Sequence, residues 1–312
     1  MKSIAALPKG RTEHVIFFGT PEIAVGPLRA LVAAGFAVDL VVTGVDKRRG
    51  RGSQTSPSPV KQAAIELQLP VTHEVSDAIA LVASSDAKFA GSYVGVVVAY
   101  GHIISNEALQ VLPMINIHYS LLPRWRGAAP VERALLAGDE QTGVCIMQVV
   151  EQLDAGDILS SATTQISQTD TTTTLRSRLG EIANPMLIEV LSNGVSTTQP
   201  QTGDIVVAAK ITQADLEIDW SKPAVAIDRQ VRVGGAFTFF HDKRFKIHSL
   251  KVSTEIFIAK PGNMVVVNDR VLVACGQGVV ELVEIQPEGK PRISAQDWKK
   301  GARLDAQSRL GS

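Results

Sequence analysis

Between residues 14 and about 160, short runs rich in β-branched residues alternate with segments of helical periodicity, and this alternation restricts the chain to few architectures. It is typical of βαβ units, which build a mostly parallel sheet. We therefore expect an α/β, Rossmann-like domain over residues 1–194, with helices packed on the sheet. The predicted strands are His14 to Phe18, Val38 to Thr43, Val94 to Ala99, Ile115 to His118 and Val144 to Val150.

The turn after the first predicted strand bears on the choice of cofactor. It reads Gly19-Thr20-Pro21 and lacks the G-x-G-x-x-G spacing with which a dinucleotide pyrophosphate is bound. The sequence therefore argues against NAD or FAD, although the expected sheet resembles that of dinucleotide-binding domains.

A second domain is expected after a polar stretch with proline and glycine, residues 195–211, which we interpret as a linker. Residues 212–312 contain short predicted strands separated by turns, a pattern typical of a small antiparallel, OB-like β-barrel. Near the end of the chain, Ser294 is placed to cap a short helix that runs to about Arg303.

Composition excludes several classes of protein. Apolar runs are broken well before the roughly 20 residues that cross a bilayer, so we expect no membrane span. The first twelve residues show no secretory apolar segment, and the two cysteines indicate no disulfide framework, so we expect a cytoplasmic protein. Lys+Arg and Asp+Glu both number 31, so any binding of nucleic acid must depend on local clusters of charge.

One combination of polar residues suggests chemistry. Asn116 and His118 alternate with apolar residues in a predicted strand, so their side chains share one face. Asp154 follows another predicted strand, whose end we expect to reach the same crevice of the sheet.

These three side chains suit acyl transfer to an amine, which passes through a tetrahedral intermediate. Such an intermediate needs hydrogen-bond donors for its oxyanion and a group that takes the proton of the attacking nitrogen. Asn116 can donate to the oxyanion, His118 can donate or move the proton, and Asp154 can orient the imidazole. No metal is needed for this chemistry. By itself, however, the pattern of one Asn, one His and one Asp has low specificity.

Longer motifs carry a specific resemblance, which covers nearly the whole chain. The sequence resembles the methionyl-tRNA formyltransferase family at Val15 to Glu22 (VIFFGTPE), Ser56 to Lys61 (SPSPVK), Asn116 to Pro130 (NIHYSLLPRWRGAAP), Gly143 to Met147 (GVCIM), Leu153 to Asp157 (LDAGD), Ile218 to Trp220 (IDW) and Ser294 to Trp298 (SAQDW).

The resemblance implies transfer of the formyl group of N10-formyltetrahydrofolate to the amino group of initiator methionyl-tRNA, in translation initiation. It implies that Asn116, His118 and Asp154 are the catalytic residues and that no metal takes part. The folate-binding residues that it implies are Ser120, Leu121, Leu122, Pro123, Tyr100 and Gly101.

The resemblance also implies a tRNA partner and a monomeric protein. A basic, glycine-bearing loop holds Lys47, Arg48, Arg49 and Arg51, of which Arg51 matches the arginine that enters the acceptor stem in this family. Lys210 matches a lysine near the family's tRNA-contacting linker. In the expected barrel, a hairpin adds the further basic residues Lys243, Arg244, Lys246 and Lys251.

Two departures and three alternatives accompany this interpretation. Tyr119 stands where many relatives carry a smaller residue, and the segment Val231 to Phe239 replaces a more proline-rich one. A related enzyme could instead formylate a nucleotide-sugar amine or hydrolyse formyltetrahydrofolate. A noncatalytic RNA-binding module would retain the basic loop and the barrel, but it would not need the three catalytic residues.

Overall fold

The structure is a computed structural model that describes residues 4–48, 55–85, 92–195, 197–305 and 307–311, with the side chain of Arg48 left aside. The chain divides into two compact units. The first contains Met1–Pro130, Gln141–Gln165 and Arg176–Ala208, and the second contains Val131–Glu140, Ile166–Leu175 and Ala209–Ser312. No helix in the described ranges combines the length and apolar character needed to span a bilayer.

Up to residue 208, strands and helices alternate much as the sequence predicts. The strands are β1 His14–Gly19, β2 Ala37–Val42, β3 Lys47–Arg48, β4 Thr55–Ser56, β5 Val71–Thr72, β6 Tyr93–Val98, β7 Met114–His118, β8 Arg124–Gly127, β9 Gln141–Gln148, β10 Ile158–Gln165 and β11 Val206–Ala208. The helices are α1 Val25–Ala33, α2 Pro59–Glu66, α3 Val75–Ser84, α4 Asn106–Val111, α5 Pro130–Ala137 and α6 Thr172–Asn193.

The first unit is built on a seven-stranded sheet, in the order β10-β9-β7-β6-β1-β2-β5 among the described strands. The strands from β7 to β5 are parallel, whereas β9 runs antiparallel to both of its neighbours, β7 and β10. All five predicted strands are present within one or two residues of their predicted bounds, except that β9 begins three residues earlier. The predicted mostly parallel, Rossmann-like sheet is therefore confirmed.

Helices on the faces of this sheet explain why its central strands are apolar along their whole length. Every residue of β6 is buried, as are five of the six residues of β1. A strand that is buried on both faces shows a continuous apolar run, and the alternation expected of a half-exposed strand is absent here.

The second unit contains the predicted antiparallel sheet, which curls into a half-barrel of the OB-like type. Its strands are β12 Phe237–Phe240, β13 Lys243–Ser253, β14 Met264–Val267, β15 Arg270–Ala274, β16 Val279–Pro287 and β17 Ile293–Ser294, and its further helices are α7 Gln213–Leu216, α8 Ala224–Val233 and α9 Ala295–Ala302. The strands are ordered β12-β13-β16-β15-β14, with β17 on β16.

The core of this unit includes helix α8, which, like α7, the sequence analysis did not predict. Helix α8 buries Ile227 and Val231 in the same apolar cluster as Phe245 and Ile285 of the sheet. The expected cap of α9 is present, since Ser294 Oγ accepts a hydrogen bond from the Asp297 amide at 3.0 Å.

Candidate active site

Asn116 and His118 project from the second half of β7, and Asp154 lies in the loop between β9 and β10. The three side chains meet as predicted, but by a different route. Strand β9 runs antiparallel to β7, with Gln148 beside Ile115, so the end of β9 lies near the start of β7. The loop that follows must fold back over the sheet face to bring Asp154 to the other two residues.

The imidazole of His118 is held at both ring nitrogens. Its Nε2 lies 2.8 Å from the backbone oxygen of Trp125, and because a carbonyl oxygen only accepts, Nε2 carries the hydrogen. Its Nδ1 lies 3.6 Å from Asp154 Oδ2, with the two side chains only 6% and 9% exposed. In the neutral imidazole, Nδ1 is therefore the ring nitrogen without a hydrogen, and it faces the Asp154 carboxylate.

Neutral groups hold the carboxylate of Asp154. The Gly127 amide donates to Oδ2 at 2.8 Å, and Asn116 Nδ2 donates to Oδ1 at 3.4 Å. Asp154 itself adopts a left-handed backbone conformation, with φ of 50°. The Asn116 amide has a second N–H, which is a donor suited to an oxyanion.

Strand β8 supplies the backbone groups that frame the site, and a local turn positions this strand. The buried side chain of Ser120 donates to the Arg124 carbonyl oxygen at 2.7 Å. Gly127 has φ of 122°, and a Cβ at this position would lie 2.8 Å from the Ala208 carbonyl oxygen. Only glycine fits there without displacing the amide that binds Asp154.

The residues predicted to bind folate lie at neighbouring strand ends, with different exposure. Leu121 is half-buried, and Leu122 packs against Cys145 and Met147. Pro123 and Tyr100 are buried, whereas Gly101 is exposed. The Tyr100 carbonyl oxygen accepts a hydrogen bond from the hydroxyl of Thr20, the residue that follows β1. A role in folate binding stays a prediction for each of these six residues: Ser120, Leu121, Leu122, Pro123, Tyr100 and Gly101.

The residues predicted to bind tRNA are only partly within the described ranges. Lys47 is exposed at the start of β3, while the Arg48 side chain, Arg49 and Arg51 lie outside the described residues. Lys210 is exposed, and its carbonyl oxygen accepts a hydrogen bond from Arg133 at 3.1 Å. Their contacts with tRNA stay predictions.

Two further ionisable side chains near the site, those of Cys145 and Tyr119, are buried, and burial raises the pKa of each. Cys145 lies beside His118 in the β7–β9 register, and burial raises the pKa of its thiol. The thiol therefore stays protonated near neutral pH, which argues against a nucleophilic role. Burial likewise raises the pKa of Tyr119, whose hydroxyl has no hydrogen-bond partner in the described part of the chain.

Sequence reasoning missed the groups that hold the three candidate catalytic residues in place. These are the Trp125 carbonyl, the Gly127 amide and the Gln201 side chain, which binds the loop of Asp154. Backbone groups leave little trace in a sequence, although Gly127 within Arg124-Trp-Arg-Gly127 was an available signal. Gln201 lies in a polar stretch without periodicity and gave none.

Comparison with known proteins defines the class. The family described as "Formyl transferase" matches residues 14–191, and "Formyl transferase, C-terminal domain" matches residues 210–303. Together these matches account for both units of the fold.

Full-length relatives narrow the class. The chain is 39% identical to the methionyl-tRNA formyltransferase of Methylococcus capsulatus, over 96% of this chain and 100% of the relative. It is 41% identical to that of a Jannaschia species, over 93% and 97%. The chain belongs to the methionyl-tRNA formyltransferase family.

More distant solved structures share the fold alone. The Helicobacter canadensis N-formyltransferase, in complex with folinic acid and dTDP-3-aminofucose, has a TM-score of 0.64 at 17% identity, covering 88% of this chain and 99% of its own. Aquifex aeolicus HypX in complex with tetrahydrofolic acid has a TM-score of 0.63 at 14% identity, covering 91% of this chain and 46% of its own.

Proposed function

We propose that this protein transfers the formyl group of N10-formyltetrahydrofolate to the amino group of initiator methionyl-tRNA, for translation initiation, as a cytoplasmic monomer. The observation that carries the proposal is the meeting of Asn116, His118 and Asp154 in a chain of this family. The names of its full-length relatives support the acceptor. The structural neighbour that holds tetrahydrofolic acid supports a folate donor.

The chemistry follows from the positions of the three side chains. As the amine attacks the formyl carbon, the carbonyl oxygen becomes an oxyanion, to which the second N–H of Asn116 donates. His118 Nδ1 takes the proton that the amine nitrogen loses, and Asp154 stabilises the imidazolium at 3.6 Å. Collapse of the tetrahedral intermediate then breaks the bond to N10, and the imidazolium returns the proton to that nitrogen.

The second unit and the basic loop supply surfaces suited to the acceptor. Lys243, Lys246 and Lys251 are exposed along β13, where they can meet phosphates. Arg244 of the same strand is engaged elsewhere, since its guanidinium stacks 3.7 Å from the Phe237 ring and donates to Gln213 at 2.6 Å. We infer that Lys47, Arg48, Arg49, Arg51 and Lys210 also contact tRNA.

An acceptor-comparison assay tests the proposal. The protein is incubated with N10-formyltetrahydrofolate and either methionyl-tRNA or a nucleotide-linked amino sugar, and formylated product and free tetrahydrofolate are measured. We expect formyl-methionyl-tRNA and no formylated sugar. Turnover of the sugar alone, release of formate without an acceptor, or no turnover at all would each contradict the proposal, the last by indicating a module that only binds RNA.

A further inference from the structure

Gln201 makes four hydrogen bonds with the groups around Asp154. Its Nε2 donates to the backbone oxygens of Asp154 and Gly156, both at 2.8 Å. Its Oε1 accepts from Arg126 Nε at 2.9 Å and from Arg126 Nη2 at 2.7 Å. Both N–H groups and both lone pairs of the amide are thus used, which fixes the side chain in one orientation.

These bonds join strand β8 to the loop that contains Asp154. Arg126 belongs to β8, and the residue after it, Gly127, donates its amide to the Asp154 carboxylate. Gly127 therefore holds Asp154 by its side chain, and Gln201 holds the same residue by its backbone. The position of Gln201 is itself set two residues earlier, where Gln199 exchanges two backbone hydrogen bonds with Ile158 at the start of β10.

The loop of Asp154 needs such support. Asp154 adopts a left-handed conformation that non-glycine residues disfavour, and such a conformation persists only where surrounding contacts impose it. At Gly156 the backbone passes so close to the Gln148 carbonyl oxygen that an added Cβ would lie 1.9 Å from it. The loop is thus tightly folded, and the Gln201 side-chain amide donates to two of its backbone carbonyls, those of Asp154 and Gly156.

We propose that Gln201 is a positioning residue for formyl transfer: it sets the place of the Asp154 carboxylate relative to His118 by binding the Asp154 and Gly156 carbonyls while Arg126 fixes its own amide. The role rests on the proposed function, because it acts through Asp154. The four hydrogen bonds of Gln201 go to Arg126, Asp154 and Gly156, so it influences the rate through the position of Asp154.

Two substitutions separate this role from general loss of structure. Gln201→Ala removes all four bonds, whereas Gln201→Glu keeps the acceptor for Arg126 but presents oxygen, without a donor, to the two carbonyls. Both should lower kcat by about tenfold to a hundredfold, as expected for small displacements of a catalytic group, with KM for donor and tRNA within about twofold of wild type. Gln199→Ala is the matched control, since Gln199 is exposed and pairs only through its backbone; its kcat should equal that of wild type.

Amide hydrogen exchange over residues 154–157 gives a readout that does not depend on activity. Exchange should be faster in Gln201→Ala and Gln201→Glu than in wild type and Gln199→Ala. Wild-type kcat in Gln201→Glu, or unchanged exchange in both Gln201 variants, would overturn the positioning role. A wild-type protein that forms no formyl-methionyl-tRNA defeats the proposed function instead, and the exchange comparison still decides whether Gln201 holds the loop.

Discussion

Among the described residues of the first unit, two pairs of histidine and aspartate lie near opposite ends of the parallel strands. His14 opens β1, and its Nδ1 lies 2.6 Å from Asp39 Oδ2, with the side chains 21% and 29% exposed. His118 closes β7, and its Nδ1 lies 3.6 Å from Asp154 Oδ2, with the side chains 6% and 9% exposed. The closer pair is the more exposed one, and the longer contact belongs to the candidate active site.

The difference lies in what holds each carboxylate. Asp154 accepts from the Gly127 backbone amide and from the side chain of Asn116. Asp39, by contrast, has side-chain partners, the imidazole of His14 at 2.6 Å and the hydroxyl of Tyr93. A carboxylate held by a backbone amide has a fixed position, and this distinguishes Asp154 from Asp39 more than the distance to histidine does.

Substitutions of His118 and Asn116 should give the largest effect, and wild-type kcat in these variants would break the comparison between the two His–Asp pairs. His118→Ala and Asn116→Ala should each lower kcat by about 10² or more, because a proton acceptor or an oxyanion donor is lost. His14→Ala is the control, and its kcat should stay at the wild-type value. Steady-state formylation of methionyl-tRNA measures all three, and an equal loss in His14→Ala and His118→Ala would remove the distinction between the two pairs.

A substitution at Gly127 tests whether the backbone frame matters. A Cβ at this residue would lie 2.8 Å from the Ala208 carbonyl oxygen and must shift the amide that binds Asp154. Gly127→Ala should lower kcat by about tenfold. Gly289→Ala is the matched control: its φ is 68°, and no atom lies within 4 Å of the added Cβ. If both variants retain wild-type kcat, the hydrogen bond from the Gly127 amide is not what distinguishes Asp154 from Asp39.

A third carboxylate, in the second unit, extends the comparison to stability. Arg133 donates to both oxygens of Asp215, at 2.7 and 3.0 Å, and Thr212 completes a capping box at the start of α7. These hydrogen bonds hold the pKa of Asp215 well below its usual range, and the bond from Arg133 has the largest effect. Asp215→Asn should lower the free energy of unfolding at pH 7 by about 1–2 kcal/mol.

The pH dependence of this difference follows from the direction of the shift. A carboxyl whose pKa is lower in the folded state contributes stability above its unfolded pKa, which is about 3.9, and loses it as the pH falls toward the folded value. The gap between wild type and Asp215→Asn should therefore be full at neutral pH and shrink below about pH 4. Denaturant unfolding at both pH values measures it, and a gap that widens in acid would contradict the assignment.

Two buried tyrosines provide the smallest test. The pKa of Tyr93, which lies beside His14 and Asp39, is raised. The causes are burial first, then the charge of Asp39 and a hydrogen bond to Asp39. Tyr119, next to His118, has no hydrogen-bond partner for its hydroxyl within the described ranges. Tyr93→Phe should lower the free energy of unfolding by about 1 kcal/mol, whereas Tyr119→Phe should leave it unchanged or raise it slightly. Equal losses in the two variants would show that the hydroxyl of Tyr119 is satisfied.

The sequence predicted the sheet well, because β-branched runs such as Val94 to Val98 are buried on both faces and show it in their composition. It also led to Asn116, His118 and Asp154, whose side chains the structure brings together. The antiparallel direction of β9 was not predicted, since direction depends on long-range pairing rather than on residue type. For the same reason, helix α8 and the contacts of Gln201 could not be inferred from local patterns.

The antiparallel direction of β9 also limits how this site can change. In an all-parallel arrangement, a strand end delivers its side chain to the crevice, and the length of the following loop is free to vary. Here residues 149–154 span the distance from the end of β9 back to His118, so one inserted or deleted residue would alter the reach of the Asp154 carboxylate. The length of this six-residue segment is therefore constrained by the contact between Asp154 and His118.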